Sequence, residues 1–208
     1  MKYLICCMTA AVASAIPVLA VPPSKFETAS SKSKPSMAEA KYVSESPLPE
    51  GWPQPGPFYQ VTRKNYPAYR AAITADSNSN GGFWRLFKHI EKNEIPMTSP
   101  VEMKMDDADP SGMKMEEMLF LYQSPKVGKT GADGAQIEVK DMPALRTLSY
   151  AWQGPRDKAA IARARQAIDA ELAKNKLKAT GYRIFGYNSP FIPRGKQTFE
   201  LQAVLSAR

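Results

Sequence analysis

His89 is the single histidine of a 208-residue chain. One imidazole can supply one ligand to a metal, but it cannot build the paired-histidine sites that zinc needs. Thioethers are more plentiful: Met97, Met103, Met105, Met113, Met115 and Met118 fall within a short stretch, with Met-Lys-Met at 103–105 and again at 113–115. Soft sulfur ligands of this kind suit Cu(I). The same spacing has a second reading, because residues i and i+2 of a strand share a face, so each repeat puts two methionines on the core and a lysine outward. The alternation favours core packing, and the metal reading stands beside it. Glu94, Glu102, Asp106 and Asp107 gather carboxylates nearby, yet acids at strand ends are ordinarily solvated, and no acid/base role is assigned to them. There is no Gly-x-Ser-x-Gly, no His/Cys metal spacing and no phosphate-binding glycine loop. No catalytic group is identified, and the chain reads as a binding protein rather than an enzyme.

The element that must position His89 is a helix over 82–92. Phe83, Leu86, Phe87 and Ile90 fall on one stripe at helical spacing, with Arg85 and Lys88 opposite. His89 lies roughly 110° from the centre of that stripe, on its edge, where it is either a packed imidazole or a metal ligand. Trp84 holds the other edge, as a core aromatic or as a surface on which a flat ring could stack. Asn80, Gly81 and Gly82 open the helix, and Asn93 and Pro96 close it. Strands are predicted over 58–63, 68–75, 96–105 and 115–123. A second round has strands over 137–140, 144–152, 182–188 and 198–205, and a long helix over 156–176. In that helix Ile161, Ala164, Ile168 and Leu172 point inward. The order ββαββ thus occurs twice about a Gly-rich joint at 124–136. Two such units predict an α+β fold: one curved antiparallel sheet or distorted barrel with both helices packed on it, leaving a cleft between a helix and the rim loops.

Composition narrows the partners. The formal charge is +8, but basic and acidic residues are interleaved, and the arginines of the second helix (Arg156, Arg163, Arg165) alternate with alanine rather than aromatics. Nucleic acid is therefore not an expected partner. Residues 1–20 carry Lys2, an apolar run, Pro17 and a small-residue pattern at Val18 and Ala20, which predicts a secretory signal peptide and a secreted or periplasmic product. No membrane-spanning segment remains after its cleavage. Both cysteines, Cys6 and Cys7, lie inside it, so covalent cofactor attachment through Cys-x-x-Cys-His is excluded. Residues 21–57 form a Pro/Ser/Lys-rich linker expected to be disordered. Trp52 is placed in it to dock on the edge of the domain at 58–208.

Phe-Trp-Arg-Leu-Phe-Lys-His-Ile at 83–90, followed by Asn-Glu-Ile-Pro-Met-Thr-Ser-Pro-Val at 93–101, resembles the signature of the SOUL heme-binding protein family. The likeness runs in order from about 57 to 205, through Tyr59–Thr74 upstream and Tyr-Asn-x-Pro-x-x-Pro at 187–193 downstream. It implies the same curved-sheet architecture and noncovalent binding of heme or another tetrapyrrole, as a carrier, buffer or scavenger. It also implies a site between the first helix and the loop at 188–197. That loop offers apolar Phe191 and Ile192 beside Arg194 and Lys196. Arg194, then Lys196, is expected to pair with a propionate, since a guanidinium holds a carboxylate bidentately. Trp84 is the candidate stacking residue, beside its reading as a core aromatic, and His89 the candidate axial ligand, beside its reading as a packed imidazole. The alternative is a module for another amphipathic small molecule or a protein partner, and the oligomeric state stays open.

Overall fold

The computed structural model describes residues 40–75, 80–109 and 112–206. The expectations for the signal peptide and for 21–39 lie outside these residues. Two helices pack on one antiparallel sheet of nine strands, which is not closed into a barrel. The strands are β1 (Val61–Tyr66), β2 (Tyr69–Thr74), β3 (Val101–Met105), β4 (Met115–Leu121), β5 (Gly131–Asp133), β6 (Ile137–Met142), β7 (Leu145–Gln153), β8 (Ala179–Gly186) and β9 (Thr198–Leu205); the helices are α1 (Asn80–Lys92) and α2 (Lys158–Lys174). The order across the sheet is β1-β7-β9-β8-β3-β4-β2-β6-β5.

That order carries the duplication. β3 and β8 meet at the centre, and the strands outward from them correspond pair by pair, except that the opening strand of each unit sits in the other unit's half. β1 pairs with β7, and β6 pairs with β2. Tyr66 faces Leu145 and Tyr69 faces Met142, so β1–β2 and β6–β7 are one ribbon whose register runs unbroken past Pro67-Ala68 on one side and Pro143-Ala144 on the other. Proline cannot donate to the ladder and fixes the backbone at the point of bending. The ribbon begins at one end of the sheet and finishes at the other, so the sheet must curl. β5, which the Gly-rich joint concealed, extends the edge beyond β6.

Alternation along the strands makes two cores. The face under α1 and α2 carries Ala72, Met103, Met105, Met115, Met118, Phe120, Ile184 and Leu201 with Leu86, Ile90, Ile161 and Ile168 from the helices. Met103 pairs across β3–β4 with Met118, and Met105 with Met115, so these methionines pack the core. Asp157 caps α2 by accepting the Ala160 N–H at 2.8 Å. The opposite, concave face holds Tyr66, Tyr69, Leu119, Leu121, Phe185 and Tyr187 around Trp52. Trp52 reaches strands from both halves of the sheet, with ring centroids 4.6 Å from Tyr66 on β1 and 5.1 Å from Tyr69 on β2. Residues 40–57, read from the sequence as the end of a tether, thus run as a strap along the domain. Tyr42, Leu48 and Trp52 supply apolar contact, and Glu50 N–H donates to the Gln123 carbonyl at 2.8 Å.

Beside this aromatic cluster lie four buried charges. Lys64 meets Glu200 at 2.7 Å, and Arg183 meets Glu102 at 3.1 Å. Tyr69 donates to Glu102 at 3.0 Å and Tyr66 to Glu200 at 3.2 Å. Gln202 accepts from Arg183 Nε at 3.0 Å and donates to Glu200 at 2.7 Å. Burial and the neighbouring carboxylates push both tyrosines far above their ordinary pKa. Breaking one pair strands its partner: Arg183→Met is expected to cost roughly 3–5 kcal/mol in urea unfolding, and Arg183→Met with Glu102→Leu to recover most of it. Additive losses in the double variant would contradict a coupled pair.

Candidate functional site

The sequence places Phe83, Leu86, Phe87 and Ile90 on one face of α1, and that face splits. Leu86 and Ile90 go into the core. Phe83 and Phe87, stacked at 6.2 Å, reach the helix edge, where Trp84 meets Phe87 edge-on at 5.7 Å. Across from them the β8–β9 loop (187–197) folds back toward α1. Asn188 Oδ1 accepts the Thr198 N–H at 2.8 Å, and Gln197 Nε2 donates to the Ile192 carbonyl at 3.0 Å. The strap pins the loop from outside, since Glu45 accepts from Ser189 N–H at 2.8 Å, Ser189 Oγ at 2.7 Å and Asn188 Nδ2 at 3.3 Å. Burial pushes the Glu45 carboxyl up, but these hydrogen bonds outweigh it and hold the group below its usual range.

Between helix and loop opens a cleft of about 420 Å³, within the span that holds a drug-sized ligand. Phe83, Trp84, Phe87, Met97, Val101, Tyr187 and Phe191 line it, and Glu45 is its one ionisable carboxylate. The walls are therefore almost wholly apolar. The fold builds the same space a second time, where the β3–β4 loop approaches α2. That second cleft is lined by Asp107, Asp109, Lys158, Arg165 and Asp169 as well as Met105 and Ile161, and Arg165 already pairs with Asp169 at 3.2 Å. Only the first suits a flat apolar molecule.

Among the site residues expected from sequence, Trp84 and Phe191 come together as walls of the first cleft. Ile192, Arg194 and Lys196 belong to the same loop but stand outside the lining. Arg194 and Lys196, in a 3-10 turn at Arg194–Lys196, are exposed and pair with no carboxylate among the described residues. His89 is elsewhere. It is buried on another side of α1, with Nδ1 2.5 Å from Asp133 Oδ2 and Nε2 2.8 Å from the Tyr122 hydroxyl. The imidazole so ties α1 to β5 and to Tyr122, the residue that follows β4. Phe83, Phe87, Met97, Val101, Tyr187 and Glu45 are among the lining residues not singled out for the site; Phe83 and Phe87 stood in the helix stripe, Met97 and Val101 in the Met-Thr-Ser-Pro-Val run and Tyr187 in the Tyr-Asn-x-Pro stretch, whereas nothing local marked Glu45. Among the described residues no three His, Cys, Asp or Glu side chains gather as a metal site.

Fold and cleft together define a curled-sheet α+β protein with an apolar cleft between a helix and a rim loop. The profile of the SOUL heme-binding protein family matches residues 54–201. The chain belongs to the SOUL heme-binding protein family. Comparison with curated proteins returns no match. Among solved structures, the EcmrR C-terminal domain is similar with a TM-score of 0.53 at 15% identity, over 72% of this chain and 98% of that one. An uncharacterized conserved protein from Listeria innocua gives 0.54 at 9%, over 72% and 93%. A hydrolase from Listeria innocua gives 0.53 at 7%, with the same coverage. At these identities the likeness is one of fold.

Hydrogen bonds from Lys92, at 2.9 Å, and from His89 lower the Asp133 carboxyl to about 2. A lowered pKa gives stability that is complete above the ordinary carboxylate range and is lost as pH falls through the lowered value. Asp133→Asn is expected to cost ~1–2 kcal/mol near neutral pH, and the gap from the parent to close towards about pH 2. Urea midpoints at the two pH values check this, and a gap that persists in acid would contradict it.

Proposed function

We propose that the chain binds heme or a related tetrapyrrole noncovalently in the cleft between α1 and the β8–β9 loop, as a carrier, buffer or scavenger rather than a catalyst. We further propose that residues 1–20 direct it out of the cytoplasm, to the periplasm or beyond. The observation that carries the binding reading is the cleft itself: an aromatic-walled space with cations close by in its loop, in a chain of the SOUL family. The donor set fits such a group. Phe83, Phe87 and Val101 give an apolar floor, and Trp84 and Phe191 give aromatic faces for a planar ring. Arg194 and Lys196, charged and uncommitted, are within the same loop to meet carboxylates at the rim. Met97 offers the cleft's one thioether, a ligand that iron in a tetrapyrrole can accept. When bound, the tetrapyrrole supplies whatever redox or ligand-exchange chemistry follows. The chain supplies a dry slot and charge compensation.

A second reading, an amphipathic small molecule of another class, is favoured by one observation: the cleft lining contains no imidazole. A heme titration separates the two. A saturable Soret shift is expected, weakened about tenfold by Arg194→Glu, which sets a like charge beside a propionate. His89→Ala should leave the Soret position unchanged, because both ring nitrogens are engaged within the fold. A band that moves in His89→Ala would assign the axial ligand to the imidazole, and the absence of any saturable shift would leave the second reading.

A further inference from the structure

The large apolar side chains left exposed among the described residues are Val43, Trp84, Met113 and Phe191. Three of them border one feature. Trp84 and Phe191 line the first cleft from opposite sides, and the Val43 carbonyl accepts a hydrogen bond from Asn188 of the same loop at 2.7 Å. Phe191 is 92% exposed and Trp84 55%. Isolated wet aromatics are ordinary, but a group of them around an apolar opening marks a surface that meets a partner.

Charge says which partner. Arg194 and Lys196 are exposed three and five residues beyond Phe191, and Lys88 is exposed one turn along α1 from Trp84. Glu45, the one acid in the cleft lining, is turned to the loop by its bonds to Ser189 and Asn188. Aromatic tips with cations behind them are the two signals that hold a protein on an anionic bilayer: rings enter the interface and the cations meet the headgroups. A protein partner would need shape complementarity at this mouth, whereas a bilayer needs only the tips and the charge. We propose that the mouth of the cleft docks on the surface of an anionic lipid bilayer, with Phe191 and Trp84 inserted in the interface. The contact proposed is a peripheral one, made by side chains at the cleft mouth; no described helix is long and apolar enough to cross a membrane. Docking in this orientation opens the cleft towards the acyl chains, so an apolar ligand could pass between bilayer and protein without entering water. The docking itself does not depend on what the cleft holds.

The test uses the full chain without added ligand, and vesicles of brominated phosphatidylglycerol against brominated phosphatidylcholine. Bromine quenches only indoles that reach the lipid. Trp52 and Trp152 are buried at 6% and 2% exposure, so Trp84 is the reporter. Quenching by phosphatidylglycerol is expected, with partitioning reduced about tenfold by Phe191→Asp and the preference over phosphatidylcholine lost in Arg194→Glu with Lys196→Glu. Unquenched tryptophan overturns the proposal. So does binding that is indifferent to Phe191→Asp, which is the result if residues 1–20 alone hold the vesicle, and so does equal quenching by both lipids. Because no tetrapyrrole is present, failure here leaves the heme titration free to succeed.

Discussion

Charges inside the curl of the sheet set the terms for everything else. Lys64, Glu102, Arg183 and Glu200 are all buried on the concave face, two of each sign, and each is met by an opposite charge. Such pairs add little net stability over a well-packed apolar core, because desolvation consumes most of the attraction. Their force is conditional. A slip of one residue between β3 and β8, or β1 and β7, would carry a charge to the helix-side core and leave its partner alone. The network therefore selects one register. With the register fixed, Gly186 and Val101 face each other at the sheet centre, and the chain leaves β8 at the place where its loop can turn over α1.

The site follows from architecture first and from side chains second. Duplication supplies two equivalent spaces, each under the loop that joins the last two strands of one unit and against the helix of the other. Divergence has then treated them differently. In the first, α1 presents Phe83, Trp84 and Phe87 and the loop presents Phe191; in the second, α2 presents Lys158, Arg165 and Asp169, and Arg165 lies over the Tyr182 ring at 3.3 Å. An ion pair and a stacked guanidinium already occupy that second site with the protein's own chemistry. The first is left apolar.

Much of this was legible in the residues. The stripe on α1, the inward face of α2, eight strands and the twofold ββαββ order rest on short-range periodicity, and the Met-Lys-Met repeats announced their core face in the same way. Trp84 and Phe191 could be placed by resemblance, one on the helix and one on the facing loop. What escaped depends on partners distant in sequence. His89 sits at the edge of its helical stripe, and only the fold reveals that Asp133 and Tyr122 wait there. Glu102 and Arg183 look like ordinary outward positions of alternating strands until the curl turns that face inward. Trp52 was expected to dock and does, but the strap around it, with Glu45, lies in a stretch whose composition reads as a linker, since three apolar anchors are too few to show against so many prolines and serines. The bend in the long ribbon had a faint trace, the Pro-Ala pair that recurs at 67–68 and 143–144.

The exchange of opening strands has a consequence for how the molecule is made. Among the described strands β1 pairs only with β7, and β6 joins the first unit by way of β2. A ribosome that has released only the first unit has released a strand with no neighbour, and a concave face whose Lys64 still lacks Glu200. Neither repeat holds all of its own strand partners, so despite its two-part plan the domain depends on long-range contacts between the repeats, which favour slow assembly late in synthesis.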